Sequence, residues 1–234
     1  MDQLNDYADA RLLIGCIHCA GKTGTRDHIP SRVLLDEPYP ENLPVVPACH
    51  KCNAGFSLDE EYVACLIECA RTGSVDAVKR PKVRRILRHL PALSERLKQA
   101  RSMSDSGSVF HSFEAERIKR VVLKLARGHA AYELSEQRCG EPSHFMATPL
   151  HTLSSEARSH FEELPSPSAW PEVGTRAMQR MASSMGTATA IYSDWIEVQE
   201  GQYRYFAFAE GAPVLVRIVV GEYLACEVIW GKED

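Results

Sequence analysis

No stretch of the 234-residue chain approaches the roughly 18 consecutive apolar residues of a membrane-spanning helix, and no secretory leader is recognisable. The expectation is a cytoplasmic protein with reduced thiols, which sets a disulfide framework aside. An excess of positive charge is also missing. The formal net charge is −4, which argues against a protein that coats nucleic acid indiscriminately. No internal repeat or low-complexity tract appears. What remains is ordinary for a soluble globular protein, with 44% hydrophobic and 25% charged residues and enough length for one large or two modest domains.

Eight cysteines are present, and four of them fall into two Cys-x-x-Cys pairs, Cys16/Cys19 and Cys49/Cys52. Such a turn lets two thiolates converge on one ion at about 2.3 Å, and two turns complete a closed tetrahedral zinc site. These four are the expected structural zinc ligands. Cys65 and Cys69 stand one helical turn apart, but their place near an apolar stripe makes them core residues. Cys139 has no partner at a useful spacing.

Between the two pairs lie Asp27-His28-Ile29-Pro30 and Asn42-Leu43, and Asn53 follows Cys52 directly. In this order, residues 16–53 resemble the HNH endonucleases, or ββα-metal nucleases, in the subgroup stapled by a four-cysteine zinc. The third motif position, most often His in that family, is Asn53 here, a variant within the family pattern. The resemblance implies a treble-clef-like ββα fold and hydrolysis of nucleic-acid phosphodiesters, with DNA as the expected partner. It implies His28 as general base, a role that a group with an ordinary pKa near 6.5 can fill at neutral pH. It implies Asp27 and Asn53 as oxygen ligands of a catalytic divalent ion, Mg²⁺ or Mn²⁺ rather than zinc. Asn42 would fix the His28 ring through the loop backbone.

Blander readings stand beside these. An Asp-His step is often a surface feature, Asn42 suits a turn, and Asn53 can cap a following helical turn. His18 and His50, inside the knuckles, read as exposed filler. RNA instead of DNA, or a zinc-stapled binding module without catalysis, are the alternatives for the whole.

Residues 23–48 should form the two strands of the unit. Ser57 and Glu60 make a capping box that predicts a helix over 58–71. The segment 79–101 carries nine cations against the single acid Glu95, a net of +8 that leaves −12 on the rest. Pro81 and Pro91 divide it into helices over about 82–89 and 92–101. Lys79, Arg80, Lys82, Arg84, Arg85 and Arg88 are the expected nucleic-acid contacts, with a solvated helix face as the alternative. Residues 102–108 read as a loop and 114–133 as a helix whose cations, Lys124 among them, lie mainly off the apolar stripe. A short helix over 152–165 and a connector over 165–168 follow. Strands over 187–198, 202–209, 214–220 and 222–230 then form a three- or four-stranded antiparallel meander. Its aromatics read as core more readily than as a base-stacking platform, and its role as a dimer or partner surface stays open.

The fold class expected is therefore α+β. A nuclease unit over 1–72 is followed by a basic helical region over 73–145 and by a domain with a C-terminal antiparallel sheet over 146–234.

Overall fold

The computed structural model describes residues 4–103, 109–165, 170–184, 195–211 and 213–231, a mixed α+β chain with nine strands and six α-helices among them. Strands β1 (Thr25–His28) and β2 (Val45–Ala48) pair antiparallel, with Asp27 opposite Val46 and His28 opposite Val45. Helix α1 follows at once over His50–Thr72. Its start lies eight residues ahead of the expected 58. Cys49 Sγ accepts the Cys52 amide at 3.3 Å, so the second knuckle itself caps the helix. Ser57 and Glu60 sit inside α1 instead of capping it. The apolar periodicity that marks the helix in sequence begins only at Tyr62, where α1 reaches the core. Gly73, with φ of +80°, ends it in the left-handed conformation that glycine adopts without strain.

Helices α2 (Pro81–His89) and α3 (Pro91–Gln99) each open on a proline at their first position, as expected. The expected loop over 102–108 is in part a hairpin, β3 (Arg101–Met103) with β4 (Val109–His111), and residues 104–108 fall outside the described chain. Helix α4 (Ala115–Leu134) packs on α1 along one side and on the C-terminal sheet along another. Gly128 sits where α4 crosses Ile29: a Cβ there would stand 2.5 Å from Ile29 Cγ1. The close approach explains a glycine in the middle of a helix.

The sheet has five strands in the order β5-β9-β8-β7-β6, all antiparallel: β5 (His144–Pro149), β6 (Ile196–Gln199), β7 (Tyr203–Ala209), β8 (Val214–Val220) and β9 (Leu224–Trp230). The meander β6 to β9 matches the expectation, except that 187–194 lie outside the described residues. Edge strand β5 has no counterpart among the expected strands. Two short helices, α5 (Ser155–Glu162) and α6 (Arg176–Ser184), lie between β5 and β6. Tyr203, Tyr205, Phe206 and Phe208 are buried, so both faces of β7 are covered and the strand offers no stacking platform. Arg204 and Arg217 are likewise engaged, the first by Glu162 and Glu222, the second by Glu227 and three carbonyls around the end of α5. One continuous buried cluster runs from Leu34 through α1, α2, α3 and α4 to the sheet. No helix among the described residues is long and apolar enough to cross a membrane.

A polar network crosses the α4–sheet interface. The His129 ring is fully buried, stacks on Tyr205 at 3.6 Å, and shares a 2.8 Å hydrogen bond between Nε2 and the Tyr203 hydroxyl. Tyr205 donates to Glu133 Oε1 at 2.6 Å, and Arg180 lies 3.2 Å from the same carboxylate. Burial holds His129 well below the usual histidine range, and Lys124 adds repulsion. The unfolded chain therefore binds a proton near pH 6.5 that the folded chain refuses, and stability falls as pH falls below that value. The expected slope from this residue is about 1.4 kcal/mol per pH unit. Urea unfolding of wild type and His129→Gln between pH 7.5 and 5 measures it. The variant should lose one proton's worth of pH dependence, and equal slopes would remove His129 as the cause.

Candidate metal centre and the strand that carries Asp27 and His28

The first knuckle is built by backbone. Cys19 and Ala20 amides both donate to the Cys16 carbonyl, and the Cys16 amide donates to the Gly21 carbonyl at 2.7 Å. The second knuckle is the first turn of α1. Together they bring the Sγ atoms of Cys16, Cys19, Cys49 and Cys52 within 4.8 Å of one another. The Cys19–Cys49 pair stands at 3.9 Å, close to the roughly 3.8 Å edge of a tetrahedron with 2.3 Å zinc–sulfur bonds. The hydrogen bond from the Cys52 amide lowers the Cys49 thiol to about 7, toward the thiolate a metal needs. The donor set and its closure fit a structural ion of the zinc type. Cys65 and Cys69 are fully buried core residues, and burial pushes both thiols up to about 12. Cys139 lies beside the first knuckle, near the Ile17 carbonyl, outside the cluster of four.

Asp27 and His28 are neighbours on β1, and successive strand residues face opposite sides. Asp27 points inward and is 4% exposed, while His28 is half-buried toward the outer side. The Asp27 carboxylate is held on both oxygens. His18 Nε2 lies 3.1 Å from Oδ2, and the Lys124 ammonium from α4 lies 2.8 Å from Oδ1. These partners hold the carboxyl below its ordinary range against the opposing effect of burial. Lys124 also reaches Glu60 Oε1 at 2.5 Å and Ser31 Oγ at 2.6 Å, and Ser31 donates to Glu60. Lys124 is 1% exposed, so its place off the apolar stripe is corrected: it faces inward. His18 is likewise buried at 6%, packed edge-on against Phe56, and is not exposed filler; His50 is exposed as expected.

Asn53 turns its amide to β1, donating to Thr25 Oγ1 at 3.1 Å and to the Arg26 carbonyl at 3.2 Å. It fastens the first turn of α1 to the hairpin. Asn42 lies in a turn, half-buried, and among the described residues its side chain makes no hydrogen bond to the loop backbone, the contact expected to fix His28. The loop is closed instead by the Ile29 amide donating to the Pro44 carbonyl at 2.8 Å. As folded, both Asp27 oxygens are paired, one with the Lys124 ammonium and one with His18, while at Asn53 it is the amide nitrogen that is engaged with β1.

His28 is differently placed. Among the described residues its ring has no hydrogen-bond partner, and burial, then the nearby Arg32, lower its pKa. Both effects favour the neutral imidazole, which is open on one side. Arg32 begins a bridge to the basic helix: its guanidinium lies 5.4 Å from the Tyr39 ring, and the Lys82 ammonium lies 5.0 Å from the same ring. Lys82 also donates to the Arg32 carbonyl and the Tyr39 hydroxyl. Arg80 is paired with Asp36 at 2.6 Å. Lys79, Arg84, Arg85 and Arg88 are exposed and have no ion-pair partner among the described residues. A cleft of about 640 Å³ opens between Asp36, Lys79, Lys82, Arg85 and Arg88.

Sequence reasoning missed His18, Ser31, Glu60 and Lys124. The signal present for Lys124 is its position between Val121 and Leu125, both fully buried.

Fold and site define an α+β protein with a four-cysteine group positioned to hold a metal ion. No family model matches the chain, and no curated protein and no solved structure matches it.

Proposed function

We propose that the chain is a zinc-stapled endonuclease of the HNH kind, acting on nucleic-acid phosphodiesters with His28 as general base. The observation that carries this reading is His28 itself: an imidazole at the end of β1 with no hydrogen-bond partner among the described residues, its neutral form favoured by burial, beside exposed Arg32 and next to the Tyr39–Lys82 bridge to the basic helix. A base for water and cations for phosphate are what such hydrolysis asks of a protein. The four cysteines would hold zinc, whose work is to fix β1, β2 and the start of α1 in place. Lys79, Arg84, Arg85 and Arg88 would guide the phosphate backbone. No step is routed through an ion at Asp27, since that carboxylate is occupied.

The sealing of Asp27 favours a second reading, a zinc-stapled module that binds nucleic acid without cutting it. Supercoiled-plasmid relaxation by wild type and His28→Ala, in Mg²⁺, Mn²⁺ and EDTA, separates the two when zinc content is measured after each arm. Relaxation by wild type and not by the variant supports the nuclease. Retained plasmid with no relaxation by either supports the binding module.

The basic face has its own test. Arg84→Glu with Arg85→Glu should weaken duplex binding broadly and flatten its log–log salt slope by about 2, near 0.9 for each phosphate no longer neutralised. An unchanged slope, measured by filter binding across a salt series, would make these arginines a solvated face.

A further inference from the structure

We propose that Lys124 is the resident cation of the Asp27 site, and that its ammonium fills a position which would otherwise take a hard divalent ion. Three oxygens converge on Lys124 Nζ: Asp27 Oδ1 at 2.8 Å, Glu60 Oε1 at 2.5 Å and Ser31 Oγ at 2.6 Å. An ammonium has three N–H donors, so this set satisfies it fully. The oxygens come from β1, from Ser31 just ahead of the short turn Arg32–Leu34, and from α1, while the cation comes from α4.

The surroundings leave no room for a second cation beside the first. His18 takes the other Asp27 oxygen, Phe56 packs against the His18 ring at 5.0 Å, and the ammonium lies 5.9 Å from the centre of the Phe56 ring. The Lys124 side chain is 2% exposed and that of Asp27 5%, so neither solvent nor a phosphate reaches them. A divalent ion entering here would meet a unit positive charge at contact distance in a poorly screened place. The wild-type chain therefore excludes it. Two carboxylates and a hydroxyl remain when the ammonium is removed, a hard-oxygen donor set of charge −2. Two of the present nitrogen–oxygen distances, 2.5 and 2.6 Å, already lie within the roughly 2.3–2.6 Å of calcium–oxygen bonds, and the third, 2.8 Å, exceeds it by about 0.2 Å.

Lys124 is thus a positioning residue. It locks β1 to α1 and α4 without a metal, and it holds the strand that ends in His28. This inference does not rest on the nuclease reading, because its test contains no nucleic acid.

Zinc-loaded full-length chain is titrated with Mn²⁺, and free Mn²⁺ is read by electron paramagnetic resonance. Wild type should show no Mn²⁺ binding that Asp27→Asn removes, while Lys124→Met should gain one Mn²⁺ per chain, about tenfold or more tighter than any wild-type binding once the unit repulsion is gone. Adding Asp27→Asn to Lys124→Met should abolish that binding, and Ca²⁺ should compete for it. Wild type that binds one Mn²⁺ through Asp27 would overturn the proposal. So would a folded Lys124→Met that binds none. Should Lys124→Met fail to fold alone, refolding with Mn²⁺ and with EDTA decides: recovery with Mn²⁺ only supports the proposal, and recovery in neither overturns it.

Discussion

Cys49→Ser is expected to unfold the β1–β2–α1 unit and to release the ion that the four thiols are positioned to hold, zinc on the proposed reading. Two jobs meet at Cys49, a place in the four-thiol cluster and the N-cap of α1. Serine keeps the second, being a good N-cap in its own right, so the substitution isolates the first. Structural zinc is worth on the order of 10 kcal/mol of coupled folding energy, comparable to the whole stability of a domain. The loss does not stay local, because α1 contributes Tyr62, Val63, Leu66 and Ile67 to the cluster that continues into the sheet. Zinc per chain by elemental analysis, with thermal unfolding by circular dichroism, reads both effects. Cys65→Ser is the control: a buried thiol outside the cluster, whose loss should leave zinc unchanged. A Cys49→Ser chain with wild-type melting would mean that zinc does not hold this unit together.

What the sequence discloses is what local spacing encodes. The four cysteines are legible because each pair fixes its own turn, and the turns need only meet. The starts of α2 and α3 are legible because proline can occupy a first helical position and not an interior one. The α4 span is legible from its apolar stripe to within a residue at each end. The true start of α1 is not. Residues 50–55 lack any apolar period, and the helix there rests on a cysteine cap that reads in sequence only as a metal knuckle.

Strand β5 is hidden for a different reason. Its residues are only partly covered, and its partner β9 lies some eighty positions away, so the pairing decides its state and the local pattern does not. The Lys124 cluster is least visible of all. It gathers Asp27, Ser31, Glu60 and Lys124 from four separate elements, and only the packing of α4 across α1 brings them together. The same helix then holds the sheet through His129 and Glu133. One helix thus carries both buried polar networks, which is why a basic residue in the middle of its apolar stretch is the clue to weigh.

On the proposed nuclease reading, His28→Ala is expected to lower phosphodiester cleavage by about 10² to 10⁴, the range a positioned general base supplies. The fold should survive, because the ring is half-exposed and bonds to no described residue, so its removal leaves no buried partner unsatisfied. Duplex affinity should change little, since a neutral imidazole releases no counterion. The pH profile carries the sharper test. Burial and Arg32 favour the neutral ring, so the base stays competent below the ordinary histidine range, and activity should decline only on the acid side of pH 6.5. In the variant, residual activity should lack that decline. Cleavage by His28→Ala at the wild-type rate, with the same acid limb, would assign the base to another group and leave His28 a bystander at the end of β1.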